Sequence, residues 1–150
     1  MSRSLEIDQS VKIEQLSRDT AIGLSNGTTC VALLPSQVKR KLQSDFRHRN
    51  KRQLFRLRSF AAGVVLLLQH AKISHSPHVI IDEEYRGYDR DLVSMVLEMW
   101  ARDNHSIPII EIRRIGKRSP AHWVANQTVQ GKRNPDYIVT YDEIRRLALR

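Results

Sequence analysis

The stretch that decides the fold is residues 78–85, HVIIDEEY, in which three consecutive β-branched residues run directly into acids. The apolar run 79–81 does not alternate with polar residues, a pattern typical of a central strand covered on both faces. Asp82 stands where this strand ends. Because α/β sheets place their ligand sites at the carboxyl ends of strands, we expect a functional site at Asp82.

Helical and strand patterns alternate after this stretch. Residues 91–102 have the apolar spacing of an amphipathic helix, and residues 107–115 are typical of a strand. Ser119 and Pro120 predict the cap and first position of a helix over 119–130, which Gly131 ends. Residues 137–141 are predicted to form a last strand, and residues 142–149 a short final helix.

The chain before residues 78–85 shows strand patterns first and then a long helical region. Residues 11–16, VKIEQL, alternate with a period of two and predict the first strand. Residues 20–25 and 28–35 flank Asn26-Gly27, a pair that favours a tight hairpin turn. Residues 36–72 have helical apolar spacing with a break near 48–50. We therefore predict one α/β domain: an N-terminal β-meander, then alternating α and β, forming a mixed sheet with helices packed on it.

Positive charge is concentrated in the helical region. The 150-residue chain has 25 Lys and Arg against 16 Asp and Glu, a net charge of +9, and ten of these basic residues with a single acid lie in residues 37–72. Such a surface binds phosphate backbones by releasing counterions, so nucleic acid, DNA or RNA, is the predicted partner. The residues expected to contact it are Lys39, Arg40, Lys41, Arg47, Arg49, Lys51, Arg52, Arg56, Lys117 and Arg118.

The chain carries few signs of a membrane or secreted protein. Its longest apolar run, 60–68, is about half the length that a bilayer crossing needs, and its start has no apolar signal core. Cys30 is the only cysteine, so no intramolecular disulfide forms. These features favour a cytoplasmic protein without a membrane span.

An acidic cluster stands out against the basic background. Residues 82–91 hold five acids, and strand alternation puts Asp82 and Glu84 on one face. Carboxylates together with substrate phosphate oxygens are the ligands that Mg²⁺ takes, so these two residues are predicted to hold Mg²⁺. We expect Asp89 and Asp91 to stabilise the start of the helix that follows.

The order of elements resembles the ribonuclease H-like superfamily. The resemblance consists of three leading strands, a helix, a strand ending in Asp82, and a late helix in SPAHWVANQTVQGK that offers His122. Together with the acidic cluster, the resemblance implies a metal-dependent nuclease or resolvase in which the candidate catalytic residues are Asp82 and Glu84, which would hold the metal, with His122 or Asp136 as a third group. The superfamily also carries an essential Asp on its first strand, whereas residues 11–16 carry Glu14; Asp8 or Asp19 would serve only in another register.

Two further readings stay open at this point. The same fold could bind nucleic acid without cutting it, or its basic face could meet an acidic protein. Motifs for other chemistries are absent, because the chain has no P-loop, no G-x-G-x-x-G and no G-x-S-x-G.

Overall fold

The computed structural model describes residues 4–73 and 77–150, and within these residues six strands form one sheet with five α-helices packed on it. The predicted α/β class is confirmed. The strands are β1 (Leu5–Ser10), β2 (Thr20–Ser25), β3 (Thr29–Leu34), β4 (His78–Asp82), β5 (Ile109–Arg113) and β6 (Tyr137–Ile138). The helices are α1 (Ser36–His48), α2 (Phe55–His70), α3 (Asp89–Asp103), α4 (Pro120–Val129) and α5 (Tyr141–Ala148).

The sheet is mixed, with the strand order β5-β4-β1-β2-β3-β6. The strands β1, β2 and β3 form the antiparallel meander, while β4 lies parallel to β1, β5 parallel to β4, and β6 parallel to β3. The strand β4 is central, as predicted, because β1 and β5 flank it and its residues Val79, Ile80 and Ile81 are buried. This order places the carboxyl ends of β1 and β4 side by side.

The first strand is not where the sequence pattern placed it. The strand β1 is residues 5–10, and residues 11–16 belong to the loop before β2, so the prediction of a strand over 11–16 was wrong. Val11 has a positive φ of 67°, which ends the strand. Ile13 is fully buried although it lies in this loop. Apolar and polar residues therefore alternate here as they would in a strand. Because β1 begins earlier, Asp8 lies on it.

The helices divide unequally between the two faces of the sheet. Apolar side chains of α1, α2, α3 and α5 form one large core with Leu5, Ile7 and Ile81. The helix α4 packs alone on the other face, where Val124 and Ala125 meet residues of β2 and β3. Alternation along β1 therefore sends Ile7 to the large core and Asp8 to the α4 face.

The apolar run 60–68 lies inside α2, the most buried helix of the large core, as predicted. Among residues 4–73 and 77–150, no helix combines the length and the apolarity that crossing a membrane requires. The break predicted near 48–50 is confirmed, since α1 ends at His48, Asn50 has a φ of 55°, and α2 begins at Phe55.

Candidate metal centre

Three carboxylates converge at the carboxyl ends of β1 and β4. The parallel register pairs Ile7 with Ile81, so Asp8 and Asp82 are the next residues on the two neighbouring strands and point to the same face. Glu84 follows two residues after Asp82. One carboxylate oxygen from each of the three acids lies within 4.8 Å of the others. This spacing brings three oxygen ligands into reach of one hard cation such as Mg²⁺.

The two strand acids are held in place by hydrogen bonds. The Oδ1 atom of Asp8 accepts from the Gln9 backbone N–H at 2.8 Å, and its Oδ2 atom lies 2.8 Å from His122 Nδ1. The Asp82 Oδ1 atom accepts from the Ile115 backbone N–H at 2.7 Å. The site is thus preorganised, because main-chain groups of β1 and of the segment after β5, together with the His122 side chain, hold the two carboxylates.

Burial and nearby charges raise the pKa of two of the three acids, Asp8 and Glu84. Asp8 is 2% exposed, and burial raises its pKa despite the opposing hydrogen bond from His122. Burial, together with the nearby Asp8 and Asp82 carboxylates, raises the pKa of Glu84 to about 7, while Lys12 acts in the opposite direction. When all three acids are ionised, the Asp8 and Asp82 carboxylates repel that of Glu84. A divalent cation would offset this repulsion.

The helix α4 reaches the acids because one strand residue lacks a side chain. Gly23 on β2 is the register partner of Asp8, and a Cβ atom there would collide with the backbone of Ala121. Ser119 caps α4 as predicted, accepting from the Ala121 N–H at 3.2 Å, and its hydroxyl donates to Glu6 at 2.8 Å. The close approach and the cap together set the position of His122 over Asp8.

The structure brings together three of the four predicted catalytic residues. Asp82, Glu84 and His122 share the centre, and Asp8 completes it. Asp136 lies elsewhere: its Oδ2 atom accepts from the Val31 N–H at 2.8 Å and pairs with Arg133 at 3.0 Å, next to β6. Since β2 and β3 separate β6 from β1, Asp136 is not part of the centre and its predicted role was wrong.

Asp8 was named only as an alternative in another register, because the first strand was placed too late in the sequence. Residues 5–9, LEIDQ, also alternate, with Leu5 and Ile7 buried on one face and Asp8 on the other. This alternation was the available signal. The longer alternating run 11–16 obscured it.

Lys39 does not belong to a nucleic-acid surface. It is fully buried, with its Nζ atom donating to the Gln15 carbonyl at 2.7 Å and to Thr20 Oγ1 at 2.9 Å. Burial lowers its pKa to about 8. The predicted phosphate contact was therefore wrong, because Lys39 lies on the buried side of α1 with Leu42 and Phe46.

The other predicted cations of the helical region differ in their contacts. Arg40 and Arg49 donate to the carbonyls of Leu16 and Leu149, and Arg56 lies 3.6 Å from Glu14. Four more cations are exposed: Lys41, Arg47, Lys51 and Arg52. We call these four the α1 basic surface. It belongs to elements that pack on the face opposite α4, whereas Asp8 points to the α4 face.

A second basic segment adjoins the carboxylates directly. The loop between β5 and α4 runs through Arg114, Lys117 and Arg118, all exposed, and we call residues 114–118 the basic loop. Its Ile115 N–H is the group that donates to Asp82, and the Glu83 N–H donates to the Arg113 carbonyl at 3.2 Å. The two basic residues predicted here, Lys117 and Arg118, thus lie in a loop anchored to the centre.

The arrangement combines three converging carboxylates, a histidine bonded to one of them, and an adjoining basic loop. Carboxylates in such a group can hold a divalent cation, and the histidine can hold or transfer a proton. No family model, no curated protein and no solved structure matches this chain.

Proposed function

We propose that this chain is a divalent-cation-dependent nuclease of ribonuclease H-like fold that cuts a phosphodiester bond in nucleic acid. The observation that carries the proposal is the meeting of Asp8, Asp82 and Glu84 within 4.8 Å at the carboxyl ends of two neighbouring parallel strands. Mg²⁺ or Mn²⁺ would be held by these three acids together with phosphate oxygens of the substrate.

The topology supports the same proposal. An antiparallel meander β1–β2–β3 followed by β4 and β5 parallel to β1 resembles the ribonuclease H-like superfamily. The resemblance implies acids on the first and fourth strands and an acid or histidine on a late helix. Asp8, Asp82 and His122 occupy these three positions.

The chemistry assigned to each residue follows from its contacts. A bound divalent cation would activate water and stabilise the leaving oxygen. The three carboxylates would hold the cation, and the backbone bond from Ile115 to Asp82 joins them to the basic loop. His122 uses Nδ1 for Asp8, so its Nε2 atom is left to exchange a proton with the attacking water or the leaving group.

The direct test is cleavage of labelled duplex, branched and single-stranded DNA and RNA, with Mg²⁺, Mn²⁺ or EDTA. We expect metal-dependent cleavage that Asp82→Asn abolishes. The matched control is Asp91→Asn, which removes one negative charge from the exposed first turn of α3 and should leave cleavage intact. Equal cleavage by wild type and Asp82→Asn, or no cleavage by wild type with either metal, would refute the proposal.

A nucleic-acid-binding module without cleavage is the second candidate. The α1 basic surface favours it, because Lys41, Arg47, Lys51 and Arg52 are exposed but belong to the other face of the sheet from the acids. This candidate predicts strongly salt-dependent binding and no metal-dependent product. A cytoplasmic location remains a prediction from the single cysteine.

A further inference from the structure

One of the two tryptophans is exposed on the helix that carries His122. Trp100 is 2% exposed and its Nε1–H donates to the Ser106 carbonyl at 3.0 Å, whereas Trp123 is 58% exposed. Trp123 follows His122 in the first turns of α4, about 100° further around the helix. Its side chain therefore faces solvent on the same helix that contacts Asp8.

Exposed cations precede this tryptophan in the chain. Arg114, Lys117 and Arg118 are exposed, and within residues 4–73 and 77–150 none of them has a carboxylate within ion-pair distance. The loop leads directly into α4, whose N-cap is Ser119, and Trp123 lies four residues after that cap, where its N–H donates to the Ser119 carbonyl at 3.1 Å. Gly116, with a φ of 90°, provides the left-handed turn that the loop needs.

Exposed cations on the loop that precedes α4, together with an exposed aromatic ring on α4, fit one kind of nucleic acid. Phosphates of a strand are neutralised by Lys and Arg, and an unpaired base stacks on an aromatic face. In a paired duplex the base faces are covered by their neighbours, so a lone exposed indole has nothing to stack on except a splayed or terminal base. The combination thus selects for single-stranded nucleic acid.

We propose that the basic loop and Trp123 form a binding surface for an unpaired segment of the substrate strand, next to the scissile phosphate. This inference rests on the proposed function and deepens it, because it makes single-strandedness beside the cut the feature that the nuclease recognises. The anchoring of the loop on Asp82 at 2.7 Å brings the strand to the carboxylates. The α1 basic surface, on the opposite face, takes no part in holding this segment.

Tryptophan fluorescence tests the stacking contact. The titrations use Asp82→Asn protein in EDTA, with single-stranded DNA, single-stranded RNA and a blunt duplex of the same sequence. We expect a single strand to quench the emission and the duplex to leave it almost unchanged. In Trp123→Phe the residual emission of buried Trp100 should not respond, and Trp123→Ala should weaken binding of the single strand about 10-fold or more.

Matched variants separate stacking and charge from general effects. Ile138 is also exposed, at 56%, but lies on β6 at the far edge of the sheet, so Ile138→Ala should leave the Kd unchanged. Replacing Lys117 and Arg118 by Gln should lower the slope of log affinity against log salt by about 1.4 for a single strand. The same two-charge change at Lys41 and Arg47 should leave that slope unchanged.

The outcomes distinguish this inference from the proposed function. Equal affinity for the blunt duplex and the single strand, with no effect of Trp123→Ala, would overturn the strand surface even if metal-dependent cleavage is found. Quenching that requires Trp123, in a protein that cleaves nothing, would support the surface and refute the nuclease.

Discussion

Replacing Asp82 by Asn should stabilise the metal-free protein while abolishing cleavage. The three acids offer oxygens within 4.8 Å of one another. Two unit charges about 5 Å apart repel by ~3 kcal/mol at an effective dielectric of about 20, and by ~1 kcal/mol in bulk water. Asp8 is buried and Asp82 only half-buried, so removing the Asp82 charge should raise the free energy of unfolding by about 1–2 kcal/mol.

The substitution is nearly isosteric and preserves the main local contact. The Oδ1 atom of an Asn side chain can still accept from the Ile115 N–H that Asp82 binds at 2.7 Å. Urea unfolding in EDTA measures the change in the free energy of unfolding. If the free energy depends on urea concentration with the same slope in both proteins, the two proteins expose the same amount of surface on unfolding. Saturating Mg²⁺ should raise the free energy of unfolding of wild type more than that of Asp82→Asn. The advantage in stability that Asp82→Asn has in EDTA should therefore shrink or change sign.

The control variant Asp91→Asn should change the free energy of unfolding in the opposite direction. Asp91 lies in the exposed first turn of α3, where a negative charge interacts favourably with the helix dipole. The change Asp91→Asn should therefore cost about 0.3–1 kcal/mol. If Asp82→Asn is as destabilising as Asp91→Asn in EDTA, or if Mg²⁺ stabilises both proteins equally, the carboxylates do not repel one another as described.

Three further predictions concern the surroundings of the centre. Gly23→Ala should cost about 1–3 kcal/mol and lower the cleavage rate, because the new Cβ atom displaces α4 and His122; unfolding and turnover measured together would show whether the two losses are linked. Lys39→Met should lower the free energy of unfolding by about 1–3 kcal/mol, because it leaves the Gln15 carbonyl without its donor, whereas Lys41→Met on the exposed side of α1 should lower it by less than about 0.5 kcal/mol; equal losses in urea unfolding would contradict the burial of Lys39. The stability of the metal-free protein should fall as pH rises from about 4.5 to about 7, because folded Glu84, with its pKa raised to about 7, binds protons that the unfolded chain has lost. The contribution of Glu84 is isolated by subtracting the free energy of unfolding of Glu84→Gln from that of wild type at each pH. A difference that does not change between about pH 4.5 and about pH 7 would refute the prediction.

Much of the fold follows from local patterns in the sequence. The β-branched run 79–81 identified the central strand, and Ser119-Pro120 identified the start of α4. These signals are physical and short in range: a run covered on both faces, a side-chain cap and a proline at the first helical position. Asp82 followed from the strand signal, because it stands where the strand ends, whereas His122 was proposed through the resemblance to the ribonuclease H-like superfamily, on the helix whose start Ser119-Pro120 identified.

The remainder depends on contacts between distant parts of the chain. Asp8 and Asp82 are 74 positions apart and meet only through the parallel pairing of β1 with β4, which leaves no mark in the local sequence. Lys39 looked like its neighbours Arg40 and Lys41, yet its position on α1 turns it toward Gln15 and Thr20. Charge counted along a helix does not distinguish a buried cation from an exposed one. The burial of Lys39 and the separation of the α1 basic surface from the acids both had to come from the structure.

The most direct measurement is the anomalous signal of Mn²⁺ in crystals of the wild-type protein. The central claim is that Asp8, Asp82 and Glu84 hold a divalent cation, and it predicts an anomalous peak between the three carboxylates, about 2.0–2.4 Å from the nearest oxygens. The peak should be absent in Asp82→Asn crystals treated in the same way. A wild-type crystal soaked in Mn²⁺ with no peak between these acids, or with a peak that persists at full height in Asp82→Asn, would contradict the claim.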